Sequence, residues 1–271
     1  DSTVFDRKTV RPKSFKAFYY YFIDKISMQL ADVLLADTNE HKRYFIEEFN
    51  VKKEIFAIPI SANEDVFRPI APRFDTDQKS AERFKVCFWG NFIPLQGVQY
   101  LIKAAEILKS KTNIEFHLAG AGQTFDEMKD LCSKLSLSNV HFLGMLKQKD
   151  VPELIASSDI CLGIFGDTPK AKRVIPNKVY EAMAMGKPVI TGDSLAIQEL
   201  AGVEECLYLV PFAEEKALAD AIVKLVNDKA LRERLGNKSL LFFKKNLTSA
   251  EIGRQVKDII FSLNADFSAK N

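Results

Sequence analysis

Charge of a single sign is what this sequence lacks: 38 Lys and Arg stand against 36 Asp and Glu, a formal net charge of +2. A near-neutral chain offers no electrostatic footprint for nucleic acid, so no nucleic-acid partner is expected. Cysteine is scarce as well. The four cysteines, Cys87, Cys132, Cys161 and Cys206, show no Cys-x-x-Cys spacing, and three of them fall in apolar stretches. Reduced core thiols in a cytoplasmic protein are therefore expected, rather than disulfides or a metal site. The three histidines, His41, His117 and His141, are scattered without metal-ligand spacing, so no metal is expected there. No run of about eighteen apolar residues is present to span a bilayer, and the opening residues do not read as a signal peptide. Asp1 opens the chain, and a basic, aromatic helix follows closely, which we read as a fragment of a longer protein.

What is present is an alternation. The 271 residues are 47% hydrophobic and 27% charged, enough for one large domain or one and a half. From Lys13 to Ala31 the apolar residues Phe15, Phe18, Phe22, Ile23, Ile26 and Leu30 fall at helical spacing. A short strand from Val33 to Ala36 follows. Thr38 then caps a helix from Asn39 to Phe49, and a further strand runs from Ile55 to Ile60. Residues 71–84 are polar and carry Pro72, which makes them the linker. Beyond them strands at Lys85–Trp89, Ile114–Ala119, Val140–Phe142, Ile160–Ile164, from Val189 and at Leu207–Val210 are separated by helices. That order predicts an α/β fold with a Rossmann-like, doubly wound parallel sheet and ligands at the carboxyl ends of its strands. We expect domain divisions at 1–70, 71–84, 85–247 and 248–271.

The fifteen residues from Pro176 to Ile190, PNKVYEAMAMGKPVI, are the most informative segment. Pro176 or Asn177 opens a helix whose free N–H groups can receive an anion. Glu181 follows about one turn in, on an otherwise small, apolar helix. Gly186 and Pro188 end that helix before the strand from Val189. A carboxylate beside a helix N-terminus suits a ligand that carries both a phosphate and a sugar diol.

This segment joins five others in order: GNFIPLQG (Gly90–Gly97), HLAGAG (His117–Gly122), FLGML (Phe142–Leu146), SSDICLGIF (Ser157–Phe165) and Gln198-Glu199-Leu200. Together they resemble the donor-nucleotide domain of the GT-B glycosyltransferases, in particular the large retaining group called family 4. The resemblance covers Lys85 to Leu263 well and Ala31 to Pro69 more loosely. It implies that residues 1–70 are the end of an acceptor-side domain and 85–247 the donor-binding domain. Residues 248–271 would form a crossover helix and tail. It also implies transfer of a sugar from a UDP- or GDP-linked diphosphosugar to a glycan or lipid-linked acceptor in surface polysaccharide assembly. Such transfer is retaining and metal-independent, and no cofactor is implied.

By the same resemblance Glu181 accepts from the donor ribose hydroxyls. Gly90, Gly97 and Gly120 let backbone approach the ligand, Met145 and Leu146 meet the base edge, and Pro176 and Asn177 begin the anion-receiving helix. Two departures stand out. The family's first Glu, eight residues before Glu181, is Arg173 here. The family's Arg and Lys at the first glycine-rich turn are Asn91 and Gln96. We expect Arg173 and Lys178 to supply the lost cations from the opposite wall as catalytic groups. Lys170 and Lys172 read as solvated. A degenerate, non-catalytic nucleotide-sugar module and a nucleotide-sugar epimerase remain the alternatives.

Some signals are set aside. Asp75-Thr76-Asp77 lies in the linker, away from any strand end. No Gly-x-Gly-x-x-Gly follows the strand ending at Trp89, which weakens a dehydrogenase reading. The run Tyr19-Tyr20-Tyr21-Phe22, with Lys13, Lys16 and Lys25, reads as packing into the absent part of the first domain. Its other reading is peripheral contact at the inner face of a membrane.

Overall fold

The computed structural model describes residues 10–72, 83–200 and 202–269. The chain begins with α1 (Phe15–Leu30), β1 (Leu34–Ala36), α2 (Asn39–Phe49) and β2 (Ile55–Ala57). Then come β3 (Phe84–Trp89), α3 (Val98–Ile107), β4 (Ile114–Ala119), α4 (Phe125–Lys134), β5 (Val140–Gly144) and α5 (Val151–Ala156). They are followed by β6 (Ile160–Leu162), α6 (Asn177–Ala184), β7 (Val189–Gly192), α7 (Leu195–Gln198), α8 (Val203–Cys206) and β8 (Tyr208–Val210). The last three helices are α9 (Glu215–Asn227), α10 (Lys229–Asn246) and α11 (Ser249–Ala269).

Two sheets result. β1 and β2 pair in parallel, while the larger sheet has the order β5-β4-β3-β6-β7-β8 and is parallel throughout. That order is the doubly wound one, in which the chain returns to the middle after β5 and then builds outward on the other side. Successive side chains of β3 feed two separate cores. Val86 and Phe88 pack with Leu101, Ile102 and Ile222 on one face. Cys87 and Trp89 pack with Ile155, Tyr180 and Met183 on the other. Period-two alternation on a strand covered on both sides requires apolar residues at every buried position, which is what Val86, Cys87, Phe88 and Trp89 supply.

Most boundaries agree with the sequence pattern. β6 is shorter than expected. Gly163 N–H and the Ile164 carbonyl still bond to Ile190 and Gly192 of β7, and the chain then turns away, with Phe165 N–H donating to the Gln96 carbonyl at 3.1 Å. The short helices α7 and α8 were not anticipated; Ser194 Oγ caps the first by accepting from Ile197 N–H at 3.1 Å. All four cysteines are buried and unbonded, with Cys87 Sγ and Cys161 Sγ 3.6 Å apart on neighbouring strands. On α1, Phe15, Phe18, Tyr19 and Phe22 are exposed. No described helix is long and apolar enough to cross a membrane.

Hydrogen bonds to two glutamates help tie the segment of the smaller sheet to the rest of the molecule. Glu199 accepts from the N–H groups of Asn39 and Glu40, at 2.6 and 2.8 Å, and so caps the start of α2 from across the molecule. Ser249 N–H donates to Glu64 at 2.9 Å where α11 begins.

Gly97 shows how tightly the loops are drawn together. Its φ is +69°, and a Cβ there would lie 2.3 Å from Gly166 N. Gly144 has a similar φ of +68° with open space around it. We therefore expect Gly144→Ala to cost about 1 kcal/mol, the backbone penalty alone. Gly97→Ala should cost about 2–4 kcal/mol, because overpacking adds to that penalty. Urea denaturation of the two variants checks the difference.

Candidate functional site

Strand order reverses between β3 and β6, so the loops leaving them part and open a crevice at the carboxyl edge of the sheet. Two connected lobes occupy it. One, of about 460 Å³, is lined by residues that include Asp37, Gln96, Lys170, Asn177 and Lys178. The other, of about 470 Å³, is lined in part by Gly120, Met145, Leu146 and Val151. Trp89, Gly90, Asn91 and Glu181 belong to both and form the divide between them. The turns after successive strands pack on one another here. Gly120 N–H donates to the Gly144 carbonyl at 2.7 Å. A Cβ on Gly120 would fall 1.9 Å from the Gly90 carbonyl oxygen, so this glycine answers first to turn packing.

Glu181 projects from α6 toward Trp89, whose indole Nε1–H donates to Glu181 Oε2 at 2.6 Å. Burial pushes the Glu181 carboxyl above its usual pKa, while the Trp89 hydrogen bond and the nearby Lys178 charge pull it back. Lys178, one turn earlier on α6, is 5% exposed. Its ammonium lies 3.5 Å from the centroid of the Phe88 ring and donates to Gln96 Oε1 at 2.5 Å. Burial draws the Lys178 pKa well below the usual value, and the Glu181 charge opposes that shift. Gln96 holds the place where a cation was expected and accepts from a cation that arrives from the opposite wall.

Pro176 and Asn177 open α6 at the lobe that holds Lys178, and Pro176 is its N-cap. Met145 and Leu146 line the second lobe, and Met145 is 67% exposed. Two of the expected residues lie elsewhere. Gly97 does not line either lobe; the backbone of Phe165 and Gly166 packs against it. Arg173 does not line them either. Its guanidinium stacks 3.6 Å above the Tyr44 ring, and its carbonyl accepts from the Thr38 hydroxyl. Cation–π attraction and a backbone anchor to α2 thus turn this side chain toward the smaller sheet. It lines a separate pocket with Glu40, Lys172 and Asp193.

Sequence reasoning missed three groups. Trp89 was read only as a strand end, although a lone indole at the carboxyl end of a central strand is a donor placed where ligands bind. Lys170 was read as solvated, yet it lines the first lobe. Asp37 was not considered. It leaves the carboxyl end of β1, and His41 Nδ1 lies 2.6 Å from its Oδ1. The strand-end rule, applied to the smaller sheet, would have drawn attention to it.

The scattered histidines are partly reunited. His117 and His141 are register partners on β4 and β5, and with Glu115 they bring three ligand atoms within 4.8 Å of one another. Arg83 is hydrogen-bonded to Glu115. Burial would raise the Glu115 carboxyl, but hydrogen bonds from Arg83 and His117 outweigh it and hold the pKa low. Burial also lowers the His117 pKa, Glu115 opposes this, and His141 and Lys85 add to the lowering. With Arg83 and Lys85 at its flank, the cluster behaves as an ion network. Asp75 and Asp77 lie outside the described residues.

The family profile described as "Glycosyl transferases group 1" matches residues 73–240. An uncharacterized glycosyltransferase of Methanocaldococcus jannaschii is 22% identical over 89% of this chain and 61% of its own length. The capsular polysaccharide biosynthesis glycosyltransferase CapM of Staphylococcus aureus is 26% identical over 83% of this chain and 60% of its own length. The chain thus spans about 60% of the length of these curated relatives. Among solved structures, Anabaena HepE in complex with UDP and glucose superposes with a TM-score of 0.78 at 18% identity, over 93% of this chain and 69% of that one.

The Trp89–Glu181 bond favours the ionised carboxylate, so removing it raises the Glu181 pKa. Trp89→Phe should keep the ring packing and move the Glu181 titration to higher pH. Carboxyl-carbon NMR of Glu-labelled protein checks this, and an unmoved titration would contradict the bond.

Proposed function

The chain belongs to the group 1 glycosyl transferases, and on that premise we propose that its crevice binds a nucleoside diphosphosugar and delivers the sugar to an acceptor. The observation that carries the proposal is Glu181 at the divide of the two lobes, oriented by Trp89. A carboxylate there accepts from both hydroxyls of a ribose. The base then lies in the lobe of Met145 and Leu146, where backbone groups meet its edge. The diphosphate lies in the other lobe, at the start of α6, within reach of Asn91, Gln96, Asn177 and Lys178. Gly90 lets the ligand pass over Lys178: its absent Cβ would sit 3.3 Å from the Lys178 ammonium.

Transfer of this kind asks for little covalent chemistry from the protein. As the bond from the anomeric carbon to the diphosphate breaks, positive charge grows on the sugar and negative charge on the leaving phosphate. A cation already in place, such as Lys178, stabilises the second without reorganising. Gln96 holds that ammonium in position. Lys178 therefore takes the role of the cations missing at Asn91 and Gln96, and Arg173 does not share it. The route is retaining, as the family resemblance implies, and independent of metal, with lysine charge facing the diphosphate. Supporting a polysaccharide role are relatives named for capsular polysaccharide and lipopolysaccharide core biosynthesis. The acceptor is a glycan or a lipid-linked glycan, met at the inner face of a membrane.

Isothermal titration with UDP, GDP, UDP-GlcNAc and GDP-mannose tests the site. One base should bind, and Glu181→Ala should lose about tenfold or more, the loss of hydrogen bonds to a charged group. Equal binding by Glu181→Ala would overturn the ribose assignment.

The pKa shifts set a pH profile with a definite sign. Ribose hydroxyls require the Glu181 carboxylate, so affinity rises as pH passes its raised pKa. The diphosphate requires the Lys178 ammonium, so affinity falls as pH passes its lowered pKa. The expected profile is bell-shaped, and Lys178→Met should remove its alkaline limb. Titrations across pH, in buffers of different ionisation enthalpy, read both limbs.

A further inference from the structure

We infer that Asp37, oriented by His41, is the carboxylate that receives the hydroxyls of the transferred sugar. The inference rests on the donor-site reading above and adds the group that would select the sugar. The position eight residues before Glu181, where the family resemblance puts an acid for that sugar, holds Arg173, which is stacked on Tyr44. A sugar in the crevice would therefore meet no acid from this segment.

The backbone geometry places another acid close by. Thr38 donates its hydroxyl to the carbonyl of Arg173, so the residue beside Asp37 is bonded to the position from which the acid is missing. Asp37 lines the same lobe as Gln96, Asn177, Lys178 and Glu181. It leaves the carboxyl end of β1, as donor-site groups leave the ends of β3 and β6. The carboxylate from the larger domain is in effect replaced by one from the smaller sheet.

His41 fixes its direction. It stands four residues on, in the first turn of α2, with Nδ1 2.6 Å from Asp37 Oδ1. Thr38 Oγ1 accepts from His41 N–H at 3.0 Å and closes the turn that brings the two side chains together. Both side chains are 22% exposed, so the pair is sheltered yet open to the crevice. One carboxylate oxygen is occupied by His41, and no described residue bonds the other. Like charge keeps this group from the diphosphate, so its partners are neutral hydroxyls, for which a carboxylate is a strong acceptor. A sugar that lacks the matching hydroxyl leaves a sheltered carboxylate unpaired, and that penalty is the physical basis of selection.

The test separates the sugar from the rest of the donor. Wild type, Asp37→Asn, His41→Ala and His41→Asn are titrated with UDP and GDP, and with UDP-glucose, UDP-galactose, UDP-GlcNAc and GDP-mannose. For the nucleotide sugar that wild type binds best, Asp37→Asn and His41→Ala should lose about tenfold to a hundredfold in affinity. Affinity for the matching diphosphate should stay within about twofold, and melting temperatures should hold. His41→Asn, which keeps a donor near the Nδ1 position, should recover most of the loss. A merely structural His41 would weaken both ligands together and gain nothing from Asn. Equal losses for sugar and diphosphate, or no loss, would overturn the inference. Unchanged nucleotide-sugar affinity with lowered transfer would move Asp37 to the acceptor and overturn it as well. A folded wild type that binds none of the six ligands strikes at the donor-site reading itself.

Discussion

The reversal of strand order between β3 and β6 is the constraint on which the rest of this structure depends. A parallel strand must be followed by a crossover, and consecutive crossovers on one side of the starting strand cover one face of the sheet. When the chain returns to the middle and builds the other way, its crossovers cover the opposite face. The two loops at the reversal then have nothing between them. Asn91, Gln96, Asn177, Lys178 and Glu181 sit on one of those loops or on the helix that follows, while Gly120, Met145 and Leu146 come from the turns after β4 and β5. Gly97 and Gly166 bring the loops into contact at one end, and Asn91, Gln96 and Lys178 face each other across the gap at the other.

The electrostatics of the gap follow from its depth. An ammonium and a carboxylate are both largely removed from water there, and each is pushed toward its neutral form by burial. Each also stabilises the charged form of the other. The Phe88 ring face, the Gln96 amide oxygen and the Trp89 N–H complete the set, one apolar and two polar contacts that offset part of the lost hydration. Two buried charges of this kind cost stability in the empty protein, because neither the paired charge nor the remaining contacts replace all of the lost hydration.

The smaller sheet adds a second body of residues to the crevice, and its placement is fixed by hydrogen bonds at both ends. Glu199 caps α2, Thr38 and Tyr44 hold Arg173, and Glu64 holds the first turn of α11. These contacts explain why Arg173 is turned away from the crevice. A guanidinium stacked on an aromatic ring and anchored through its own carbonyl serves the junction between the two sheets. Asp37 is carried to the crevice by the same contacts.

Much of this was legible in the amino-acid order. Strand and helix positions follow from apolar periodicity and from Thr38, Gly186 and Pro188, because backbone geometry and burial on both faces leave few alternatives. Pro176-Asn177-Lys178 and Glu181 could be read as one face of a short helix, since their spacing is local. The strand-ending Trp89 could not be paired with Glu181, nor Gln96 with Lys178, because those partners lie 92 and 82 residues apart. His117 and His141 meet only through the register of β4 on β5. Whether Arg173 faces a phosphate or a tyrosine was decided by the packing of α2 against the 170–176 loop, a contact between segments with no periodicity in common. Sequence determined what is local: the elements, their order, and therefore the place of the crevice. Tertiary structure decided which charges share that crevice, because the approach of side chains from distant elements depends on packing that no single stretch of chain contains.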